Sequence, residues 1–453
     1  LIGDQLIRNI LKKIYGGFLM GSEEHYDVIV VGAGCAGPAA AKRSADLGLK
    51  TLLIEKAGKP GEKNVSGTCL NAAALVDPDL HYLLEGPVER EIREMRTYHI
   101  NEERTTVFHE MPAKGLLLLS IRRDDFDAWH TQQAEKAGAS VKLMTSVTDI
   151  IDDGESVKGV KTDEGDSFYG KVVIDSGGVN SIVGRRAGLI KKRKGTSMIL
   201  YVTVNVHLGK ETIDKRFGDC IEYYLSPGIQ HKTWPWIFPK RDVVTLGTGG
   251  YMDENLISEE FPSVNRYMEN FLNLQVVDKK LEGGEIVAWG LHLEYDDAID
   301  QRCKNGLILT GEAGGFVAPF LGQGMPEAFF TGIYAAQTAS KAIESGDVSK
   351  ENLENNFNDM IEGNVFMSAF RHVAAVNKES ILSKSDAEIV EMMQNVIMGG
   401  GFITNVLHNK WMKGAEEGDI ELVQEAYDFM EFIQPYRYVG ADFEEIYNER
   451  RKK

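Results

Sequence analysis

From Tyr26 the chain runs into Val28, Ile29, Val30 and Val31, an unbroken β-branched and aliphatic stretch of the kind that fills a strand buried on both faces. Gly32, Gly34 and Gly37 follow at once in GxGxxG spacing, and Ala39 to Ala45 has the composition of a helix, closed by Leu47 and Gly48. Thr51 to Ile54 predicts a second strand that ends at Glu55. Further strands are predicted at Ser140–Val147, Val157–Thr162, Lys171–Asp175 and Gly306–Thr310, with Gly165 as a hairpin turn. Apolar residues at three- and four-residue spacing predict helices over Arg123–Gly138, Ile333–Ile343, Leu353–Ile361 and Ala387–Val396.

The first strand, glycine loop, helix and acidic-tipped second strand make a dinucleotide site with a physical task for each part. Gly32 permits the tight turn, Gly34 lets backbone N–H groups approach a pyrophosphate, and Gly37 lets the helix lie close to the sheet. Cys35 and Ala36 lie at the helix start, whose free N–H groups and dipole favour an anion. Glu55, followed by Lys56, is placed to accept the hydroxyls of an unphosphorylated adenosine ribose. By itself this motif does not separate FAD from NAD.

Composition narrows the function classes. The 453 residues are 43% hydrophobic and 26% charged, which excludes wholesale disorder, and the length predicts two or three interleaved lobes. A formal net charge of -18 repels polyanions, so no nucleic-acid partner is expected. Cys35, Cys69, Cys220 and Cys303 are widely spaced, with no CxxC pair or Cys/His cluster, so no metal site is expected and a reducing compartment fits. No apolar run reaches spanning length. Residues 1–19 carry Leu6, Ile7, Ile10, Leu11 and Ile14 at helical spacing with Arg8, Lys12 and Lys13 between, a basic amphipathic helix suited equally to a protein surface or a membrane surface.

The later segments resemble the FAD-dependent hydroxylase and geranylgeranyl reductase superfamily. They are Arg123-Asp124-Asp125-Phe126-Asp127, the SGGVNS stretch from Ser176 to Ser181, and GEAGGFVAPFLGQGMPEAFFTG from Gly311 to Gly332. The likeness covers about residues 25–340. It implies FAD as cofactor, held by Gly32, Gly34, Cys35, Ala36, Gly37, Glu55, Lys56 and Arg123 at the dinucleotide end and supported by Gly178 and Ser181. At the ribityl and isoalloxazine end it implies Gly311, Glu312, Ala313, Gly322, Gln323, Gly324 and Met325, where a helix start would stabilise the reduced flavin. Two residues differ from the superfamily pattern: Glu312 replaces an Asp, and Gly177 replaces the Asp of a DG pair.

Within that superfamily Glu62-Lys63-Asn64-Val65-Ser66-Gly67 resembles the flavoprotein subunit of electron-transfer-flavoprotein:quinone oxidoreductases, including the nitrogen-fixation type, which adds Asn64, Ser66 and Gly67 to the expected cofactor contacts. Thr233 to Lys240, with Trp234, Trp236 and Phe238, looks instead like a cavity-lining segment of geranylgeranyl reductases, or else like ordinary alternating residues over a core. The resemblance implies electron transfer to a membrane quinone such as menaquinone. An electron-transfer flavoprotein would be the donor, through a ferredoxin-like iron–sulfur subunit, at the cytoplasmic face of a membrane. The alternative is hydrogenation of isoprenoid chains of membrane lipids. No acid or base is assigned; His231 is nearest in sequence but reads better as a surface residue.

The expected fold is therefore α/β: a discontinuous Rossmann-like FAD-binding domain over 25–115, 120–190 and 295–345, a mixed β-sheet substrate domain over 191–294, an N-terminal helix within 1–24 and a helical C-terminal region over 346–453. Asn395–Met412 reads as a segment packed on the core or, less readily, dipping into lipid, and Arg450 to Lys453 as a solvated tail.

Overall fold

The computed structural model describes residues 23–75, 77–100, 105–110, 116–191, 198–226, 228–231, 233–252, 263–295, 299, 301–317, 324–364, 366–367, 385, 388 and 439–452. The amphipathic stretch 1–19, Gly322 and Gln323, and nearly all of Ala387–Val396 and Asn395–Met412 lie outside these residues.

Val28, Ile29 and Val30 are fully buried, as their unbroken run predicts, because the strand Glu23–Val31 lies inside an eight-stranded sheet. It pairs in parallel with Ser167–Asp175 on one side and Thr51–Ile54 on the other, so that Val31 stands opposite both Asp175 and Ile54. Ser140–Lys142 continues the sheet beyond Thr51–Ile54, and Leu307–Leu309 flanks Ser167–Asp175 with Leu309 opposite Asp175. Five parallel strands thus end along one edge, the edge where open α/β sheets bind ligands. Val157–Thr162 and Val147–Asp152 extend Ser167–Asp175 as an antiparallel flap, with Gly165 in the turn between strands.

Two boundaries differ from expectation. The first strand begins at Glu23, so the end of the 1–24 stretch belongs to the sheet. The strand expected over Ser140–Val147 stops at Lys142, because Met144 takes a φ of +53° and reverses the chain before Val147 starts the flap. Met144 donates its backbone N–H to the Ala57 carbonyl at 3.1 Å, which ties this reversal to the end of the second strand.

Two helices cover one face. Ala36–Asp46 follows the glycine loop, and the buried helix Met325–Ser345 crosses it so closely that a Cβ on Gly332 would stand 2.3 Å from the Ala36 carbonyl oxygen. Arg123–Lys136 packs beside them, with Phe126 against Phe329 at 6.2 Å between ring centres.

A seven-stranded sheet faces the site from the other side. Its order is Glu285–Tyr295, Met198–His207, Val243–Tyr251, Trp236–Pro239, Cys220–Leu225, Glu94–Ile100 and Thr105–Glu110. The last two strands were expected in the nucleotide-binding part; instead Glu94–Ile100 pairs in parallel with Cys220–Leu225, a partner more than a hundred residues away. The outer face packs on the helix Val264–Leu272 through Val202, Val204, Met268 and Phe271. A three-stranded sheet of Thr68–Asn71, Leu118–Ile121 and Arg90–Ile92 joins the two large sheets.

The C-terminal basic run is not a free tail. Arg450 and Arg451 close the helix Val439–Arg451, where Arg450 pairs with Glu85 at 3.6 Å and Arg451 donates to the Gly86 carbonyl at 3.2 Å. Among the described residues no helix is long and apolar enough to cross a membrane.

Candidate cofactor and substrate cleft

The cleft follows from where the strands end. Two adjoining cavities, of about 370 and 270 Å³, lie along the C-terminal edge of the parallel sheet and share Gly34, Asn64, Ser66, Arg123 and His292. Glu55 and Lys56 line the smaller cavity; Gly311, Glu312, Gly324, Met325 and the tryptophans line the larger.

At the nucleotide end the glycines divide their labour. Gly32 has a φ of +99°, and a Cβ on Gly37 would lie 1.8 Å from the Gly32 carbonyl oxygen, so these two shape the turn and do not line the cavity. Gly34 faces open space, where a Cβ would meet nothing nearer than Arg123 Nη2 at 4.0 Å. Cys35 and Ala36 line the cavity at the start of a helix that carries no capping side chain and no acidic residue in its first turn, so its field is available to an anion. Glu55 is held by backbone N–H groups, Ala33 to Oε2 at 2.7 Å and Ala57 to Oε1 at 2.8 Å, and each oxygen keeps a lone pair.

Arg123 contributes the fixed positive charge. Its guanidinium donates to both oxygens of Asp127, Nη2 to Oδ2 at 2.7 Å and Nε to Oδ1 at 2.9 Å. Burial opposes its charge, but Asp127, with help from Glu312, holds it firmly protonated. Cys35 stays a thiol, since burial pushes it up to about 12.

An acid two residues before Gly177 fixes this turn from inside the fold. Asp175, fully buried at the strand end, accepts from the Gly177 N–H at 2.9 Å, the Gly184 N–H at 2.8 Å and the Ser181 hydroxyl, and so fixes the turn that carries Gly178 into the cavity. Glu312 reaches across to that turn, where its Oε2 accepts from the Val179 N–H at 3.2 Å. Ala313 is buried in the same short helical turn, Gly311–Gly314, and lines neither cavity. Gly324 and Met325 open the long buried helix without a side-chain cap.

An aromatic wall closes the far end. Trp236 lies against Tyr201 at 5.5 Å and Phe238 at 6.1 Å, and Tyr223 meets Trp234 at 5.7 Å. The indole occupies the space that a side chain at Gly247 would need, since a Cβ there would stand 2.0 Å from Trp236 Cζ2. Trp234, Trp236 and Phe238 all line the larger cavity. The indole also crowds Gly67, where a Cβ would come within 2.5 Å of Trp236 Nε1. Cys69 also reaches the cavity, but burial raises its thiol to about 11, which leaves it a weak nucleophile.

Tyr201, Thr203, His292 and Glu294 line the cavity without any sequence signal beyond strand alternation. His292 Nε2 donates to Glu294 Oε1 over 3.0 Å. His231 lines neither cavity; it bridges to Gly250 at the edge of the second sheet.

These residues fit FAD. The open backbone at Gly34 beneath an uncapped helix suits a diphosphate, Glu55 suits a ribose, and the second uncapped helix start at Gly324 suits the flavin ring. Residues 27–218 match the family model described as Glucose inhibited division protein A. Fold and site define an FAD-dependent oxidoreductase.

Particular relatives sharpen the comparison. The chain is 29% identical over 347 residues to Protein FixC of Escherichia coli strain K12, covering 73% of this chain and 80% of that protein. It is 27% identical over 416 residues to the digeranylgeranylglycerophospholipid reductase of Thermoplasma acidophilum, covering 90% of this chain and 100% of that protein. A crystal structure of a geranylgeranyl bacteriochlorophyll reductase-like protein from Thermoplasma acidophilum shares the fold with a TM-score of 0.72 and 24% identity, covering 94% of this chain and 100% of that one.

Proposed function

We propose that the protein passes electrons from its flavin to an elongated apolar acceptor, a membrane quinone such as menaquinone, at the cytoplasmic face of a membrane. An electron-transfer flavoprotein, acting through a ferredoxin-like iron–sulfur subunit, would supply them. The observation that carries the reading is the aromatic wall of Trp234, Trp236 and Phe238, which shares one cavity with Gly324 and Met325 of the cofactor-holding helix start. An acceptor seated there would meet apolar surface on one side and the cofactor on the other. The resemblance of Glu62–Gly67 to electron-transfer-flavoprotein:quinone oxidoreductases supports the quinone, and the chain's similarity to FixC is in keeping with it.

Bound FAD supplies the electron or hydride transfer. Around it, Glu55 orients the ribose, the start of Ala36–Asp46 and Arg123 balance the diphosphate charge, and the tryptophans keep water from the reacting face. Among the described residues no group of three or more His, Cys, Asp or Glu side chains is arranged to hold a metal ion, and the proposed iron–sulfur relay is assigned to another subunit.

A second reading, hydrogenation of isoprenoid lipid chains, is favoured by the end-to-end match with the digeranylgeranylglycerophospholipid reductase. The two separate in one assay. Photoreduced protein mixed with menaquinone-bearing vesicles should be reoxidised with formation of menaquinol; saturation of a geranylgeranyl glycerolipid without menaquinol formation would overturn the quinone reading. Purification from native cells should bring down a ferredoxin-like protein and an electron-transfer flavoprotein, and a lone chain would count against the electron route.

A further inference from the structure

Five residues belong to both cavities: Gly34, Asn64, Ser66, Arg123 and His292. Two of them are a glycine and a permanently charged arginine, and two carry only amide or hydroxyl groups. His292 is the member of that set able to gain and lose a proton near neutrality. Its strand makes this placement exact in register. Glu285–Tyr295 is the edge strand, antiparallel to Met198–His207, with His292 opposite Tyr201 and Gly290 opposite Thr203. The inner face of that strand presents His292 and Glu294 to the cavity, and Gly290 is bare because Val65 of the Lys63-Asn64-Val65 loop comes within 2.1 Å of where its Cβ would be.

We propose that His292, held by Glu294, delivers the proton that accompanies electron transfer to the acceptor. The proposal rests on the reading that the acceptor is reduced at this cavity. Saturation of a double bond, or reduction of a quinone carbonyl, takes a hydride equivalent from the reduced flavin and one proton; the His292 N–H bond breaks with its electron pair left on nitrogen, and the new C–H or O–H bonds complete the hydrogenated product. His292 is left neutral and regains its proton from water, to which 35% of its side chain stays open. The hydride equivalent carries both electrons and the second hydrogen of a quinol, so atoms and charge balance at each turnover.

The surroundings favour a charged imidazole. Burial disfavours the imidazolium, but the hydrogen bond and field of Glu294, with the field of Glu312, outweigh burial and the opposing Arg123, and His292 titrates above its ordinary value. Tyr201 faces it from the neighbouring strand, and Glu62 and Lys63 face the smaller cavity that it lines. Donation therefore weakens as pH rises through the His292 pKa, because the neutral form has no proton to give.

The test uses the full-length holoprotein. Photoreduced protein is mixed in stopped flow with menadione, a soluble quinone, between pH 5.5 and 9, and histidine-labelled protein is titrated by NMR over the same range. Wild type should slow as pH rises, with the break at the His292 pKa seen by NMR. His292→Gln should keep its flavin, react about a hundredfold more slowly at pH 7 and lose the pH break, with partial rescue by added imidazole. Glu294→Gln should move both the break and the NMR pKa downward together. Equal rates and profiles for wild type and His292→Gln, or a His292 that titrates at or below the free-histidine value, would overturn the proposal. Failure of the acceptor reading shows itself separately, as wild type that behaves this way toward menadione yet reacts with neither menaquinone vesicles nor geranylgeranyl lipid.

Discussion

Gly67 and Trp236 illustrate how much of the cleft is set by single atoms. A methyl group at Gly67 would stand 2.5 Å from Trp236 Nε1 and 3.2 Å from Phe238, neither of them at the free end of a flexible chain. Gly67→Ala should therefore displace the indole, shift the tryptophan emission and reduce acceptor turnover on the order of tenfold, while flavin content stays near stoichiometric; unchanged emission would show that the wall adapts without cost. His130 offers a second residue-scale test. It is fully buried, bonded through Nε2 to Tyr82 at 2.8 Å, and burial lowers its pKa to about 3. The unfolded chain binds this proton near pH 6.5 and the folded one does not, so stability is full above about 6.5 and falls by up to ~1.4 kcal/mol per pH unit on acidification toward 3. Urea midpoints from pH 4 to 7 should show a shallower acid slope in His130→Gln than in wild type, and equal slopes would place the acid sensitivity elsewhere.

At the scale of elements, the crossing of Ala36–Asp46 by Met325–Ser345 is the joint on which the cofactor end depends. A Cβ on Gly332 would clash with the Ala36 carbonyl at 2.3 Å, and backbone on a buried helix yields only by moving the whole element. Gly332→Ala should cost about 1–3 kcal/mol of stability and weaken flavin retention, read as a lower melting temperature and flavin loss on dialysis; an unchanged melting temperature would mean that the crossing is looser than the structure has it. Legibility also divides at this scale. The strand, glycine loop, helix and acidic tip were readable because each depends on neighbours within about thirty residues and on residue types with special backbone needs. The role of Asp175 in fixing the Gly177 turn was not readable, since it depends on how the chain folds back at Ser181 and Gly184. His292 and Glu294 sit on a strand whose two faces look alike in sequence; a one-residue change of register would exchange the cavity face for the outer face. The pairing of Glu94–Ile100 with Cys220–Leu225 escaped for the same reason, as parallel partners far apart in sequence leave no local mark.

Across the whole molecule, the outer side of that edge strand leaves Ile286, Val287 and Trp289 about half exposed, a cluster that charged residues usually interrupt on a free surface. On the proposed reading this side faces the lipid that holds the acceptor. With a net charge of -18, attachment would depend on apolar contact more than on charge, and it should persist on neutral phosphatidylcholine vesicles. Trp289→Glu should reduce cosedimentation with such vesicles several-fold and leave menadione reduction intact. Binding that is unaffected would remove this strand from the proposal.

The cofactor cleft is assembled from stretches near residues 32–37, 55–67, 123, 175–181, 292, 311–317 and 324–325, so it is also a matter of timing. A ribosome releasing this chain from its N-terminus exposes the dinucleotide loop long before Leu307–Leu309 can join the sheet or Met325–Ser345 can cover Ala36–Asp46. Until then the first helix lacks the helix that crosses it at Ala36. Flavin can be captured for good only after about three-quarters of the chain has emerged, and the early part must be kept from wrong contacts while it waits. In a cell short of riboflavin, the shortfall would appear first as lost protein and only afterwards as lost turnover per molecule.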